Sequence, residues 1–267
     1  MRILSYFILS AVLCLGLILR QRAPRFELEP FPGPLRLVLG VLWLIAGVAL
    51  VCFVPLEGLI DPEDSGAPIR DVRFVTLFAG HALLAVFLLG WWALAGFERP
   101  GRFLRLPGGS LPRRLAIGVV VGLVGWAATI GAMAAVGSIV GIEEAVTGAA
   151  TSDSGEGLPQ VMQMLVEMPI LNRVLLVVSA GVFEEAFFRS FLQTRGGLVL
   201  STILFAMGHA SYGSPFMLVG VFAVSVVLGL VFRSTGDVLP CMVAHSVFDA
   251  VQLLVVMPAI AAAAAGA

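Results

Sequence analysis

The sequence predicts an all-α fold, a polytopic bundle of about eight transmembrane helices. Of its 267 residues, 59% are hydrophobic and only 12% are charged, and the mean hydropathy is +1.03. A water-soluble domain carries about 25% charged residues. Here the charges gather between long uncharged runs, and a run of ~20 apolar residues spans the hydrocarbon core as a helix. Because water cannot satisfy backbone groups inside the bilayer, such runs must be helical.

Eight apolar runs are the candidate spans. They cover residues 3–19, 37–56, 74–97, 115–142, 170–192, 197–213, 215–232 and 238–257. The first run resembles a signal peptide, but only Arg2 precedes it and no small-x-small cleavage site follows it. We therefore interpret it as a retained span. Only a tight turn at 211–215 separates the sixth run from the seventh.

Loop arginines predict the orientation of the bundle. The loop after the first span (20–36) holds four arginines, and the loop after the third (98–114) holds five. Cytoplasmic loops are enriched in basic residues, so both loops are expected in the cytoplasm. The acidic loop at 57–73 and the loop at 143–159 are expected outside. The chain has no lysine and is rich in Arg, Ala, Gly and Val, which favours a bacterial plasma membrane.

Charge and cysteine usage exclude several classes of function. The net charge is −1, so no basic field would attract nucleic acid. Cys14, Cys52 and Cys241 each fall inside an apolar run, and none belongs to a CxxC pair. We expect them to be buried as small apolar residues, without a disulfide framework or a thiolate metal site.

The fifth span carries an unusual set of charges, Glu184, Glu185 and Arg189. A carboxylate at mid-bilayer costs about 2.5–3.5 kcal/mol on insertion scales, so two adjacent ones need a reason. Glu185 and Arg189 are four residues apart and are expected to form an ion pair. Glu184 is rotated by about 100° from Glu185 and can face another neighbour. It has Phe188 where a partner would stand, and Gly181 three residues back is expected to leave room for water or a substrate backbone.

Two later spans carry histidines. In the sixth, Gly208 stands beside His209 and permits close helix approach. In the eighth, His245 and Asp249 are four apart and share a face, so the carboxylate can fix the tautomer of the imidazole. His81, the single histidine or charged residue in the first four predicted spans, has no such neighbour in its own span. We interpret it as a packing residue.

The three predicted spans bring these groups to a similar depth. Measured from Thr194, Gly196 and Val238 as cytoplasmic ends, Glu184 lies ~15 Å deep, His209 ~19 Å and His245 ~10 Å. All three fall in the central part of a ~30 Å core. A glutamate and two histidines that converge there suit the activation of water. Glu can act as general base, while His shares that task or stabilises an oxyanion.

At these residues the chain resembles the CPBP family, which comprises type II CAAX prenyl endopeptidases and bacteriocin-processing or immunity (ABI) proteins. The resemblance covers residues 170–255 and depends on three motifs in order, EExxxR, FxxxH and HxxxN/D. Here these are Glu184-Glu185…Arg189, Phe205…His209 and His245…Asp249. The domain organisation that follows is a peptidase core at 170–257 and N-terminal transmembrane helices of unassigned role at 1–142.

The resemblance implies an intramembrane glutamic endopeptidase that needs no metal or other cofactor and acts on a membrane-associated protein or peptide. Glu184 and His209 would activate water, His245 and Asp249 would form the oxyanion site, and Arg189 would hold Glu185. The prenyl endopeptidases commonly have Asn where Asp249 stands. Asn donates a hydrogen bond and an ionised Asp does not, so Asp249 either is protonated or instead orients His245.

Two alternatives remain open at this stage. One is a zinc protease with His209, His245 and either Glu184 or Asp249 as ligands, although no HExxH motif is present. The other is a non-catalytic membrane protein, such as a bacteriocin immunity or scaffold protein or a transporter with a proton-relay glutamate. A purely structural alternative for Glu184, Glu185 and Arg189 is that they only join an ion-pair network between helices. The sequence predicts neither the oligomeric state nor whether the substrate is prenylated.

Overall fold

The computed structural model describes residues 2–21, 31–60, 78–140, 160–212 and 215–265, and the regular structure in these ranges is entirely helical. The predicted all-α fold is therefore confirmed. Most of the two loops predicted to lie outside the membrane, residues 61–73 and 143–159, and the turn residues 213–214 fall outside the described ranges.

Twelve α-helices occur in the described ranges. In chain order they are α1 (Arg2–Gln21), α2 (Pro34–Val48), α3 (Glu57–Ile60), α4 (Ala79–Leu94), α5 (Pro100–Phe103), α6 (Leu111–Val140), α7 (Gln160–Glu167), α8 (Ile170–Glu185), α9 (Thr194–Gly208), α10 (Pro215–Thr235), α11 (Val238–Val251) and α12 (Met257–Ala265). Three π-helices interrupt or extend them, at Ala49–Phe53, Ala186–Gln193 and Gln252–Val256, and two short 3₁₀ segments occur at Val54–Leu56 and Ala210–Tyr212.

Four of the described helical segments are long and apolar enough to cross a membrane, namely Pro34–Leu56, Leu111–Ile139, Met217–Thr235 and Val238–Ala263. Two shorter apolar helices are Arg2–Gly16 and Ala79–Leu94. The described part of every predicted span contains helical structure. The fifth, however, contains the charges of the EExxxR motif, and α9 in the sixth has 15 residues and a kink at Gly197, where φ is 80°. The count of eight spans therefore stays a prediction.

A partly buried ion pair joins the start of α11 to the start of α6. The Asp237 carboxylate caps α11 by accepting a hydrogen bond from the Leu239 backbone N–H at 3.0 Å. The same carboxylate accepts from Nε of Arg114 at 2.5 Å and from its second terminal nitrogen at 2.8 Å. This bidentate pair fixes the end of the helix that carries His245 and Asp249.

Glycines on both neighbouring helices bring α11 into backbone contact. On α6, a Cβ at Gly118 would lie 2.9 Å from the Pro240 carbonyl oxygen. A Cβ at Gly122 would lie 2.6 Å from the Ala244 carbonyl oxygen. A Cβ at Gly181 of α8 would lie 2.7 Å from the Met242 carbonyl oxygen and would also overlap Ser246. The expectation that Gly181 leaves room for a substrate was therefore wrong, because α11 fills that space. Gly118 and Gly122 form a GxxxG face of the kind that packs membrane helices closely.

Aromatic rings join α4 to the segment that follows α8. The Phe87 ring packs edge-on against Phe187 and Phe191, with centroids 5.1 and 5.0 Å apart, and Trp91 lies 4.8 Å from Phe191. All four side chains are buried. The N-terminal helices therefore share a core with the helices that carry the motifs, and this contact brings the start of α4 beside α8.

The close approach of α6 and α11 predicts that Gly122→Ala destabilises the protein. The added methyl group would meet the Ala244 carbonyl and the Val247 side chain, and overpacking of this kind costs about 1–3 kcal/mol. The unfolding temperature of the detergent-solubilised protein should fall. Gly131→Ala is the matched control on the same helix, because no atom of the described part of the chain lies within 4 Å of its Cβ position. Equal unfolding temperatures for the two variants would contradict the packing role of Gly122.

Candidate active site

Glu185 and Arg189 form the predicted ion pair, and both side chains are completely buried. Arg189 Nε donates to Glu185 Oε2 at 2.9 Å. The two terminal nitrogens of the guanidinium donate to the hydroxyls of Ser201 at 3.4 Å and Ser225 at 3.0 Å. The guanidinium also lies over the Phe205 ring, 5.2 Å from its centroid. Its donors are therefore shared among α9, α10 and the carboxylate, which lets the charge remain buried.

The second oxygen of Glu185 holds His245. His245 Nδ1 lies 2.9 Å from Glu185 Oε1, and its Nε2 lies 3.5 Å from Asp249 Oδ2. Because a carboxylate paired with an arginine accepts hydrogen bonds, Nδ1 carries a proton and donates it to Glu185. The predicted contact between His245 and Asp249 forms. The stronger constraint on the His245 ring is nevertheless Glu185, a link from α8 that the spacing within α11 did not predict.

Glu184 lies between two histidines from different helices. Its Oε1 is 3.2 Å from His81 Nε2, and its Oε2 is 3.5 Å from His209 Nε2. The side chain is only 12% exposed, and Oε2 is buried without a hydrogen-bond partner among the described residues. The sequence offered Glu184 no partner on its own helix but left it free to face another neighbour, and His81 and His209 are those neighbours. The helical spacing considered only neighbours within one helix, whereas both partners come from other helices.

His209 presents one particular nitrogen to Glu184. Its Nδ1 lies 2.8 Å from the carbonyl oxygen of Phe205, and a carbonyl can only accept, so Nδ1 carries a proton. In the neutral ring, Nε2 is then the unprotonated nitrogen, and it is the one that faces Glu184. The Phe205 ring stacks on His209 at 4.6 Å and lies 5.8 Å from the His245 ring, so the two histidines flank a single aromatic side chain.

His81 is the residue that sequence reasoning placed wrongly. It was expected to be a packing residue, but its ring contacts Glu184 through Nε2 and the Ser179 hydroxyl through Nδ1, the latter at 2.9 Å. The sequence did contain a signal. An ionisable residue in a membrane helix is costly and needs a partner, and the absence of one on α4 itself meant that the partner had to lie on another helix.

All the predicted site residues fall into two connected groups. Arg189, Glu185, His245 and Asp249 form one, and His209 and Glu184 form the other, with His81 and Ser179 added to it. The groups meet at the adjacent pair Glu184 and Glu185. In the described part of the chain, no three or more His, Cys, Asp or Glu residues are arranged to hold a metal ion. The three cysteines are buried and free, as predicted.

Residues 166–251 match the family model described as type II CAAX prenyl endopeptidase, Rce1-like. The match covers about a third of the chain, and over this segment the chain is similar to that family. The matched residues include all of the predicted site residues and exclude His81. In the described residues the structure is all-helical and has apolar helices long enough to span a bilayer, which supports an integral membrane protein, and the matched segment is similar to a family of proteases.

One relative of the chain is an uncharacterized protein, YpbD, from Bacillus subtilis (strain 168). It is 42% identical over 69 residues, which are 26% of this chain and 36% of YpbD. The matched part thus spans about a third of that relative's length. No solved structure matches the chain significantly.

The buried ion pair predicts that Arg189→Ala loses folded protein. The substitution leaves Glu185 as a buried charge without its arginine, a change that typically costs about 3–5 kcal/mol. The yield of monodisperse protein in detergent and its unfolding temperature should both fall. Arg102→Ala is the control, because Arg102 pairs with Glu98 at the same i,i+4 spacing but is 79% exposed. Such a pair contributes about 0–1 kcal/mol. An Arg189→Ala protein as stable as Arg102→Ala would contradict the structural role.

Proposed function

We propose that this protein is an intramembrane glutamic endopeptidase that hydrolyses peptide bonds of a membrane-associated protein or peptide. The observation that carries the proposal is the buried Oε2 of Glu184, which has no hydrogen-bond partner in the described residues and faces His209 Nε2 at 3.5 Å. A carboxylate oxygen and an unprotonated ring nitrogen both accept hydrogen bonds. One water can therefore donate to both of them and present its lone pair to a carbonyl carbon.

In this mechanism Glu184 takes the proton from the attacking water, and His209 holds the water and shares its proton. Attack on the peptide carbonyl produces a tetrahedral intermediate with a negatively charged oxygen. The proton is then available for the nitrogen of the leaving amine. This division of labour requires Glu184 to exchange a proton, while Glu185 stays ionised in its pair with Arg189.

His245 is the proposed donor to the oxyanion. Its Nδ1–H is committed to Glu185, so only Nε2 can serve. A doubly protonated His245 would lie between two carboxylates, Glu185 at 2.9 Å and Asp249 at 3.5 Å, and its Nε2–H could turn from the more distant Asp249 to the developing oxyanion. This arrangement favours the orienting role for Asp249 over the role of a direct donor.

The proposal extends to the setting of the site. We assign the peptidase core to residues 170–257, and residues 1–142 to N-terminal helices that complete a multi-pass protein of a bacterial plasma membrane. A CAAX motif, a bacteriocin leader and a C-terminal sorting signal are the substrate classes consistent with this family. In each of them the scissile bond lies near a segment held at the membrane, where a site at mid-bilayer depth can reach it.

Replacement of the proposed general base tests the mechanism. Glu184→Gln should lower turnover by about 10²–10⁴-fold, the range expected when a general base is lost. The variant should still fold, because the amide keeps the shape of the side chain. The measurement is cleavage of a fluorogenic peptide library by the purified protein in detergent, alongside its unfolding temperature.

Asp249→Asn is the matched control, because it also converts a carboxylate of the site into an amide. It should keep substantial activity, since Asn occupies this position in the related endopeptidases. Near wild-type turnover in Glu184→Gln, together with a dead but folded Glu185→Gln, would mean that the roles of the two glutamates are reversed.

A glutamic mechanism also predicts that activity does not depend on a bound metal. Peptide cleavage should survive EDTA and phenanthroline, and elemental analysis of the purified protein should find zinc well below one atom per chain. Stoichiometric zinc, combined with loss of cleavage on chelation and recovery on zinc addition, would replace the glutamic mechanism with a metal-dependent one.

A further inference from the structure

We propose that His81 is a positioning residue of this site, which fixes the orientation of the Glu184 carboxylate by donating from Nε2 to Oε1. The inference rests on the proposed function and deepens it, because it adds a residue from the N-terminal helices to the machinery. His81 lies near the start of α4, outside the residues that match the Rce1-like family, and 103 positions from Glu184 in sequence.

The hydrogen bonds around His81 supply a donor to Glu184. The Ser179 hydroxyl is 2.9 Å from His81 Nδ1 and 3.1 Å from the Leu176 carbonyl oxygen, and it has one proton to give. If Ser179 donates to Nδ1, the neutral ring carries its proton on Nε2. If Ser179 instead donates to the Leu176 carbonyl, its oxygen accepts a hydrogen bond from His81 Nδ1–H. In that case a His81 ring that is protonated on both nitrogens also donates from Nε2 to an ionised Glu184. In both arrangements Nε2–H points at Glu184 Oε1.

Fixing Oε1 also fixes Oε2. The terminal torsion of a glutamate side chain is broad, so a carboxylate held at one point only can rotate. With Oε1 bound to His81, the plane of the carboxylate is set, and Oε2 is the oxygen left to face His209. The His81 side chain is 11% exposed and that of Glu184 is 12% exposed, so solvent competes little for this contact.

The geometry distinguishes positioning from packing. A packing residue would be replaced by any side chain of similar size, whereas a positioning residue needs a donor at the location of Nε2. The amide nitrogen of Gln can reach about as far as Nε2, and the amide of Asn only about as far as Nδ1. Gln and Asn at position 81 are therefore two polar, uncharged replacements that differ in whether they reach Glu184.

The test compares His81→Gln with His81→Asn in steady-state cleavage of a fluorogenic peptide that the wild-type protein cuts. His81→Asn should lower kcat by about 10- to 100-fold, with KM within about twofold, because small misplacements of a catalytic group cost up to about 10²-fold. His81→Gln should recover kcat to within about threefold of wild type. Gly80→Ala is the neighbouring control, since none of the described residues places an atom within 4 Å of its Cβ position, and it should leave both constants unchanged.

Two further measurements keep the outcome decisive. Ser179→Ala leaves His81 in place but removes the hydroxyl that orients its ring, so it should lower kcat without raising KM even if His81→Asn folds poorly. A double-mutant cycle measures the contact between His81 and Glu184 without any substrate. It combines each of the two His81 variants with Glu184→Gln and compares the unfolding temperatures.

Equal kcat values for the Gln and Asn variants, or a fall in stability that accounts for the whole loss of activity, would overturn the positioning role and leave the proposed function intact. A wild-type protein that folds but cleaves no peptide would instead overturn the proposed function, and the inference with it. The expected result has two parts. His81→Gln restores kcat while His81→Asn does not, and the unfolding cycle shows coupling between position 81 and Glu184.

Discussion

The buried ion pair between Arg189 and Glu185 is the interaction on which the rest of the core depends. Through its three donors and the two carboxylate oxygens it connects α8 with its π-helical extension, α9, α10 and α11. Removing two charges from water is expensive, and the cost is offset only when every donor and acceptor is satisfied. The pair therefore specifies one arrangement of these helices, and the position of His245 follows from it.

Glu184 and Glu185 separate two tasks within one dipeptide. The rotation of about 100° between successive helical residues turns Glu185 toward Arg189 and α11, and Glu184 toward α4 and the end of α9. One carboxylate is saturated by strong hydrogen bonds and holds the frame. The other has an oxygen without a partner in the described residues. Two adjacent glutamates can thus differ in chemistry although their sequence context is nearly the same.

Much of this arrangement could be predicted from local spacing. The long apolar runs predicted the helices, the four-residue separations predicted the contacts of Glu185 with Arg189 and of His245 with Asp249, and the order of the motifs indicated the family. Contacts between helices were less accessible, because the rotation of each helix about its axis depends on packing across the whole bundle. For that reason the link from Glu185 to His245 was missed, and the role expected for Gly181 was wrong. His81 was misassigned because its partner lies more than a hundred residues away.

The glycine contacts of α11 bear on how a peptide can enter the site. Pro240, Met242 and Ala244 present their carbonyl oxygens to glycines on two sides, from α6 and from α8, with no side chain between the backbones. Contacts this close leave no slack for sliding or tilting, and the bond between Arg114 and Asp237 anchors the same wall at its end. The three helices α6, α8 and α11 therefore behave as a rigid wall of the bundle. For the proposed peptidase, this wall leaves the other sides of the bundle as the route by which a substrate can reach the site.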